Sequence, residues 1–261
     1  MNNAIIGYTG LVGSNLLSQL QASKKEQLDL YNSSNMNESA NKKYDLVYVS
    51  AIQAQKWWAN KNPEQDKALI ESLLLMLAKI RCRKLILIST VDVYDPPTTG
   101  DENTSINDDI HAYGKNRRFA EIEITKLFPN STIIRLPGLI APNLKKNILF
   151  DLKNKNQIHS INANSVLQWY PLSRLSHDID IVLKENLSLI NLSVEPISTI
   201  DIVKYARDIS VKQLNHNLPQ VSYNIRSIHS NLFGGNNGYC VSKLESLNGI
   251  VAYLESNKDE L

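Results

Sequence analysis

Three glycines at regular spacing follow an apolar run near the start of the chain. Ala4-Ile5-Ile6 predicts a β-strand, and Gly7, Gly10 and Gly13 lead from it into a helix expected from about Val12. The first glycine permits a tight turn, the second lets a ligand approach the backbone, and the third lets the helix pack against the strand. This order predicts a site for a dinucleotide pyrophosphate. The alternative is a tight βα turn without a ligand.

Composition excludes several other classes of protein. The 261 residues carry a net charge of +2 without a run of Lys or Arg, which argues against nucleic acid as a partner. No apolar run approaches the roughly 18 residues of a membrane span, so we expect no membrane association. Cys82 and Cys240 are far apart and the five histidines form no ligand cluster, which predicts no metal site and a reducing compartment.

The N-terminal strand lacks the features of a signal peptide, so we expect a cytoplasmic protein. The final residues, Lys258-Asp259-Glu260-Leu261, spell a retrieval tag of the endoplasmic reticulum. Because that tag acts only in secreted chains, we interpret the match as chance.

Apolar runs and helical spacing alternate along the first half of the chain. Further strands are predicted at Leu28–Tyr31, Leu46–Val49, Leu85–Ile88 and Thr132–Leu136. Long helices are predicted from Pro63 onward and from about Asp109 to Leu127. This alternation predicts an α/β fold with a Rossmann-like, doubly wound parallel sheet.

The pattern loosens after Pro137 into shorter elements. We therefore predict a dinucleotide-binding domain over residues 1–142, and a small C-terminal substrate lobe formed mainly by residues 143–261. One strand near Leu189–Leu192 is expected to return to the sheet. A helix is predicted from Ser198, with Asp201 three residues later as its capping-box acid.

A strand end and a tyrosine–arginine pair are candidates for chemistry. Ser89 and Thr90 close an apolar strand, and open α/β sheets bind ligands at the carboxyl ends of their strands. Tyr113 and Arg117 lie four residues apart, so phenol and guanidinium share a helix face. A nearby positive charge lowers the pKa of a tyrosine and eases proton exchange with a hydroxyl or carbonyl. An ordinary half-buried tyrosine is the alternative.

With the glycine turn, Thr90 ahead of Val93-Tyr94 and the Tyr113-x-x-x-Arg117 pair, the chain resembles the extended short-chain dehydrogenase/reductase family. The resemblance is strongest to the NAD-dependent epimerases, dehydratases and reductases that modify nucleotide sugars. It covers Met1 to about Pro142 well and the remainder loosely.

The resemblance implies roles for individual residues. Thr90 would hydrogen-bond the reacting oxygen, Tyr113 would be the acid and base, and Arg117 would complete the catalytic set. The implied contacts to NAD or NADP come from the glycine turn and the ends of the strands: Gly7, Thr9, Gly10, Leu11, Val12, Gly13, Asn32, Ser33, Ser50, Ala51, Ser89, Tyr113, Arg117, Leu136, Pro137 and Gly138.

Two departures from the family pattern matter. The family has a lysine where this chain has Arg117, which either holds the nicotinamide ribose and tunes the phenol in its place or marks an inactivated site. Dehydratases follow the threonine with two acids, whereas Val91-Asp92 follows Thr90 here. Simple carbonyl reduction or oxidation, or epimerisation through oxidation and re-reduction, remains.

The end of the second strand bears on the choice of coenzyme. An acid there would hold the ribose 2′-hydroxyl of NAD, but the chain has Tyr31-Asn32-Ser33-Ser34. Neutral hydroxyl and amide groups tolerate a 2′-phosphate, which tilts the prediction slightly toward NADP. A polar turn without contact to the coenzyme is the alternative.

Several polar and aromatic residues are candidate contacts to the substrate. Lys56 is a candidate for a diphosphate and Trp57 for stacking on a ring, unless the tryptophan anchors a loop to the core. By resemblance, Lys146 and Asn147 lie where relatives hold the nucleotide diphosphate, although a solvated basic turn is equally compatible. Gln168 and Tyr170 are assigned to the same lobe by analogy alone.

These observations together predict a cytoplasmic NAD(P)-dependent oxidoreductase. It would act as a reductase or 4-epimerase on a nucleotide-activated keto- or hydroxy-sugar. Relatives usually form homodimers through the two long helices. The alternative is a regulator or complex subunit that binds NAD(P) without catalysis.

Overall fold

The computed structural model describes residues 2–23, 27–94, 98–107 and 109–256. The retrieval-tag match at 258–261 lies outside them. The chain divides into two compact units. The first takes in the described residues of Met1–Asp95, Ser105–Leu136 and Ser173–Ile190, and the second those of Pro96–Thr104, Pro137–Leu172 and Asn191–Leu261.

The elements are numbered along the chain. The strands are β1 (Asn2–Ile6), β2 (Gln27–Tyr31), β3 (Lys43–Val49), β4 (Arg81–Thr90), β5 (Thr98–Gly100), β6 (Ser131–Leu136), β7 (Gly138–Ile140), β8 (Val166–Leu167), β9 (Trp169–Pro171), β10 (Leu189–Asn191), β11 (Ile197–Ser198) and β12 (Tyr223–Ile225). The α-helices are α1 (Leu11–Ser23), α2 (Lys56–Lys61), α3 (Pro63–Leu77), α4 (Ala112–Leu127), α5 (Ile148–Asn154), α6 (Leu175–Lys184), α7 (Thr199–Val203) and α8 (Lys243–Glu255).

The first unit is built on a six-stranded sheet in the order β10-β6-β4-β3-β1-β2. The pairings from β6 to β2 are all parallel, which confirms the predicted sheet, and β10 lies beside β6 as the expected returning strand. Ile6 pairs with Val49, and Thr90 with Leu136. The carboxyl ends of the parallel strands therefore meet along one edge.

Both faces of the sheet are covered. Alternate residues such as Val47, Val49, Leu85 and Leu87 form one buried cluster with apolar residues of α3 and α4. The intervening side chains, among them Ile86, are buried too. This pattern explains why the central strands are apolar runs without alternation.

The second unit contains short paired strands and three short to medium helices. β5 pairs with β12 and β7 with β9 in parallel, whereas β8 and β11 are antiparallel. The helices α5, α7 and α8 belong to this unit. The substrate-binding function of the unit remains a prediction.

The observed elements differ from the predicted bounds mainly at their ends. β4 begins at Arg81 because its polar first residues still pair with the start of β3. The helix expected from Asp109 begins at Ala112, since His111 is its N-cap. Within the described residues, no helix combines the length and the apolar character needed to cross a bilayer.

Candidate active site

The packing of the chain itself requires glycine at two of the three positions that lead from β1 into α1. Gly7 has a φ of +90°, and a Cβ there would lie 2.7 Å from the backbone nitrogen of Ala51. A Cβ on Gly13 would overlap the Gly7 carbonyl oxygen and lie 2.7 Å from Ser50 Oγ. Ser50 and Ala51, at the end of β3, thus pack directly against the turn.

The packing of the chain does not require a glycine at position 10. A Cβ there would lie 3.4 Å from the Gly7 carbonyl oxygen, an ordinary van der Waals distance, and the residue is exposed. Thr9 is exposed beside it, and Leu11 and Val12 are half-buried in the first turn of α1. The first N–H groups of a helix have no partner within the helix and attract anions. The space left by Gly10 therefore fits a dinucleotide pyrophosphate.

The turn after β2 is neutral and held by its own side chains. Asn32 Oδ1 accepts hydrogen bonds from the backbone N–H of Ser34 (2.8 Å) and from its hydroxyl (2.6 Å), and Asn35 Nδ2 donates to the Leu30 carbonyl oxygen. Ser33 is exposed. Asp29 in β2 is bound by two tyrosine hydroxyls and a lysine. The proposed ribose contacts of Asn32 and Ser33 stay predictions.

Thr90 and Tyr113 meet at the end of β4. The Tyr113 side chain is buried, and Thr90, Asp92 and Arg117 all lie close enough to its hydroxyl to influence its protonation. Thr90 Oγ1 accepts from the backbone N–H of Asp92 at 3.1 Å. Burial raises the pKa of Tyr113 to about 12. The Arg117 charge and the polar groups of Thr90 and Arg117 act to lower this pKa, whereas the Asp92 charge acts to raise it.

Polar contacts fix the N-terminus of α4, which carries Tyr113. The backbone N–H of Tyr113 donates to Asn60 Oδ1 at 2.9 Å, and that of Gly114 donates to His111 Nδ1 at 3.0 Å. A Cβ on Gly114 would overlap the carbonyl oxygen of Asp92. The helix can therefore approach the turn after Thr90 only with glycine at this position.

Arg117 lies against Tyr113 but is held by other groups. Its Cζ is 4.2 Å from the centre of the Tyr113 ring. Its terminal nitrogens donate to both carboxylate oxygens of Asp66, at 2.6 and 3.1 Å, and to the carbonyl oxygen of Gln53. The structure thus unites the predicted catalytic residues, while the ribose contact of Arg117 stays a prediction.

Other predicted site residues of the first unit have structural partners. Ser89 Oγ donates to Glu121 Oε1 at 2.6 Å, so its hydroxyl is engaged in a buried ion network. Lys56 Nζ forms an ion pair with Asp92 at 2.7 Å. Trp57 is 68% exposed, which excludes the alternative that this tryptophan anchors a loop to the core.

The remaining predicted contacts belong to the second unit, except Leu136, which closes β6. A Cβ on Gly138 would lie 2.8 Å from the Gln168 carbonyl oxygen. The Gln168 side chain donates to the carbonyl oxygens of Val194 and Ile225. Among the other predicted residues, Lys146 is exposed, Pro137 is half-buried and Tyr170 is fully buried. Asn147 is the N-cap of α5. Their contacts to a substrate or coenzyme stay predictions.

Sequence reasoning missed Asp66, Asn60 and His111. Asp66 lies on the same helical stripe as Ile70, Leu74 and Leu77, all of which are buried. A carboxylate on an apolar stripe is a signal for a buried cationic partner. The identity of that partner, 51 residues away, has no local signal.

The site agrees with a family comparison. The model of the family described as "NAD dependent epimerase/dehydratase family" matches residues 4–152, more than half of the 261 residues. The match includes the glycine turn, Thr90, Tyr113 and Arg117. A search of curated proteins finds no match.

Solved structures with the same fold cover nearly the whole chain. They include a dTDP-4-dehydrorhamnose reductase of Clostridium acetobutylicum (16% identity, 98% of this chain and 99% of that chain, TM-score 0.72). A UDP-glucuronic acid 4-epimerase of Bacillus cereus in complex with NAD has the same identity (98% and 97% covered, TM-score 0.71). RMD of Pseudomonas aeruginosa complexed with NADPH is also 16% identical (98% of this chain and 100% of that chain covered, TM-score 0.68). The likeness confirms the predicted fold, and the family match shows that the chain belongs to the NAD dependent epimerase/dehydratase family, an enzyme family.

Proposed function

We propose that the protein is an NAD(P)-dependent oxidoreductase that acts as a reductase or 4-epimerase on a nucleotide-activated keto- or hydroxy-sugar. The observation that carries the proposal is the buried Tyr113 beside Thr90, with the Arg117 guanidinium over the tyrosine ring, at the carboxyl end of the central sheet. The names of the structures described above, a nucleotide-sugar reductase and a 4-epimerase among them, support the substrate class.

The turn around Gly7, Gly10 and Gly13 would hold the pyrophosphate of the coenzyme. When bound, the nicotinamide ring supplies or accepts a hydride at the sugar carbon. Thr90 Oγ1 would orient the sugar oxygen. In reduction, Tyr113 Oη would give its proton to that oxygen as the carbonyl becomes a hydroxyl, and the Arg117 charge would stabilise the phenolate until solvent returns a proton.

The finer proposals concern the coenzyme, the substrate contacts and the oligomeric state. We propose NADP as the slightly favoured coenzyme because no acid follows Tyr31 and the neutral amide and hydroxyl groups there tolerate a 2′-phosphate. Lys56 and Trp57, with Lys146, Asn147, Gln168 and Tyr170 of the second unit, are the proposed substrate contacts. Exposed Leu69 on α3 and Ile122 on α4 favour a homodimer through these helices.

A second candidate function is an NAD(P)-binding regulator or complex subunit without catalysis. The observation that favours it is the Arg117 guanidinium, which Asp66 and Gln53 engage. A coenzyme bound without turnover would be the result expected for this candidate.

The test is incubation of the purified protein with NADPH or NADH and a panel of nucleotide 4-keto-sugars. We expect coenzyme oxidation that Tyr113→Phe reduces at least about a hundredfold, because general acid–base catalysis contributes that much. Coenzyme affinity should be nearly unchanged in this variant. Unchanged turnover in Tyr113→Phe would remove the phenol from the mechanism.

A further inference from the structure

Asp66 is a buried acid in the first unit for which the reaction described above gives no role. It lies in the first turn of α3, and its side chain is 2% exposed. Burial of a carboxylate carries a large desolvation cost unless charged and hydrogen-bonding partners compensate for it. The partners of Asp66 therefore indicate what the charge does.

These partners all come from one turn of α4. Arg117 binds both carboxylate oxygens, and Asn116 Nδ2 donates to Oδ2 at 2.8 Å. Asn116 also donates to the Pro63 carbonyl oxygen at 2.9 Å, so the amide is fixed at both hydrogens. A two-pronged carboxylate contact fixes the plane of a guanidinium as well as its position.

The guanidinium held in this way lies over the ring of Tyr113. The guanidinium carbon is 4.2 Å from the ring centre, and Gln53 accepts from one of its terminal nitrogens. A flexible arginine side chain would otherwise distribute its charge over many rotamers. Electrostatic stabilisation of a forming phenolate requires a charge that is in place before the proton moves.

We propose that Asp66 is a positioning residue that fixes the Arg117 guanidinium against the Tyr113 phenol and withholds it from the coenzyme ribose. The proposal rests on the proposed function and deepens it. It assigns the arginine to proton transfer, and it makes the aspartate the group on which that assignment depends.

The first test compares Asp66→Asn with wild type in turnover and in coenzyme binding. The amide keeps the shape but offers Arg117 one acceptor instead of two. We expect kcat to fall about a hundredfold, as for a misplaced catalytic group, with an unchanged Kd for NADPH. An unchanged kcat overturns the proposal. A weakened Kd with an unchanged kcat also does so, because Arg117 would then serve the ribose.

Asp178→Asn is the matched control for stability. Asp178 is fully buried on α6, and its carboxylate oxygens accept hydrogen bonds from Nη2 and Nε of Arg174 at 3.1 and 3.2 Å. The same chemical change there should lower the unfolding temperature and leave kcat of the folded protein unchanged. An equal loss of kcat in both variants would reduce Asp66 to a structural role and overturn the proposal.

A second readout needs no turnover. Nuclear magnetic resonance of the Arg117 guanidinium, assigned with Arg117→Lys, should show protons shifted by the Tyr113 ring in wild type. Asp66→Asn should abolish that shift, and Asp66→Glu, which keeps a carboxylate, should retain part of it and part of kcat. Unaltered signals in Asp66→Asn refute the role of Asp66, whereas a wild type without turnover refutes the proposed function instead.

Discussion

The protonation of one phenol connects the candidate site to its chemistry. Tyr113 is buried, and burial raises its pKa to about 12 even though Arg117 and Thr90 act in the opposite direction. At neutral pH the hydroxyl is therefore protonated. A protonated phenol is ready to act as the acid in carbonyl reduction, whereas alcohol oxidation requires its phenolate.

This difference predicts different pH responses for the two directions of the reaction. Reduction should be insensitive to pH from neutral to mildly alkaline conditions, because the phenol stays protonated there. Oxidation should accelerate as pH rises toward the pKa of Tyr113, because the phenolate fraction grows. Profiles of kcat/KM against pH would measure both. A Tyr113→Phe variant that kept the alkaline acceleration of the wild type would contradict this assignment.

Helix α4 depends on contacts at its N-terminus. His111 Nδ1 accepts the N–H of Gly114, and Asn60 accepts that of Tyr113. We predict that His111→Ala lowers the free energy of unfolding by about 1 kcal/mol, the usual cost of a lost N-cap. His111→Asn should retain most of this stability, because asparagine is a common N-cap residue. Denaturant unfolding would measure both, and equal losses in the two variants would speak against capping.

The sequence predicted the elements well where a local pattern carried the information. The apolar cores of β3 and β4 were predicted, but both strands extend further toward their N-termini. Lys43 and Arg81 pair across that extension, and no hydrophobic pattern marks it. Helix α4 starts three residues later than the sequence pattern predicts, because histidine is an unusual N-cap and His111 has this role here.

The first unit contains a buried ion network besides the Asp66–Arg117 pair. Glu121 on α4 binds Arg135 on β6 through two hydrogen bonds, at 2.6 and 2.9 Å, and Arg135 also donates to the Tyr94 hydroxyl. We predict that Glu121→Gln destabilises the fold by about 3–5 kcal/mol, because it leaves a buried arginine without its counter-charge.

Replacing both partners tests the reason for that loss. Glu121→Leu combined with Arg135→Met should be less destabilising than the sum of the two single changes. Each single change leaves the other charge buried without its partner, whereas the double variant removes both charges. Chemical denaturation of the four proteins would give the coupling. Additive effects would show that the pair itself contributes nothing.

The candidate site was predictable only where neighbours in sequence are neighbours in space. The glycine turn and the Tyr113–Arg117 spacing are local patterns. Asp66 and Asn60 join the site through tertiary packing of α3 and α2 on α4, and Gln53 joins it from the segment before α2. No local pattern specifies these contacts. The sequence pattern therefore does not indicate which residues pair with the charged groups of the site.

Calorimetric titration with NADPH, NADP⁺, NADH and NAD⁺ tests the coenzyme site in the whole protein. We expect wild type to bind at least one of them, NADPH most tightly, and Gly10→Ala to weaken that binding at least about tenfold, or about 1.4 kcal/mol. The stability of Gly10→Ala should be unchanged because the fold has room for the methyl group. Gly13→Ala, in contrast, should lower the free energy of unfolding by about 1–3 kcal/mol. No binding of any coenzyme, or equal affinity in Gly10→Ala, would contradict the account.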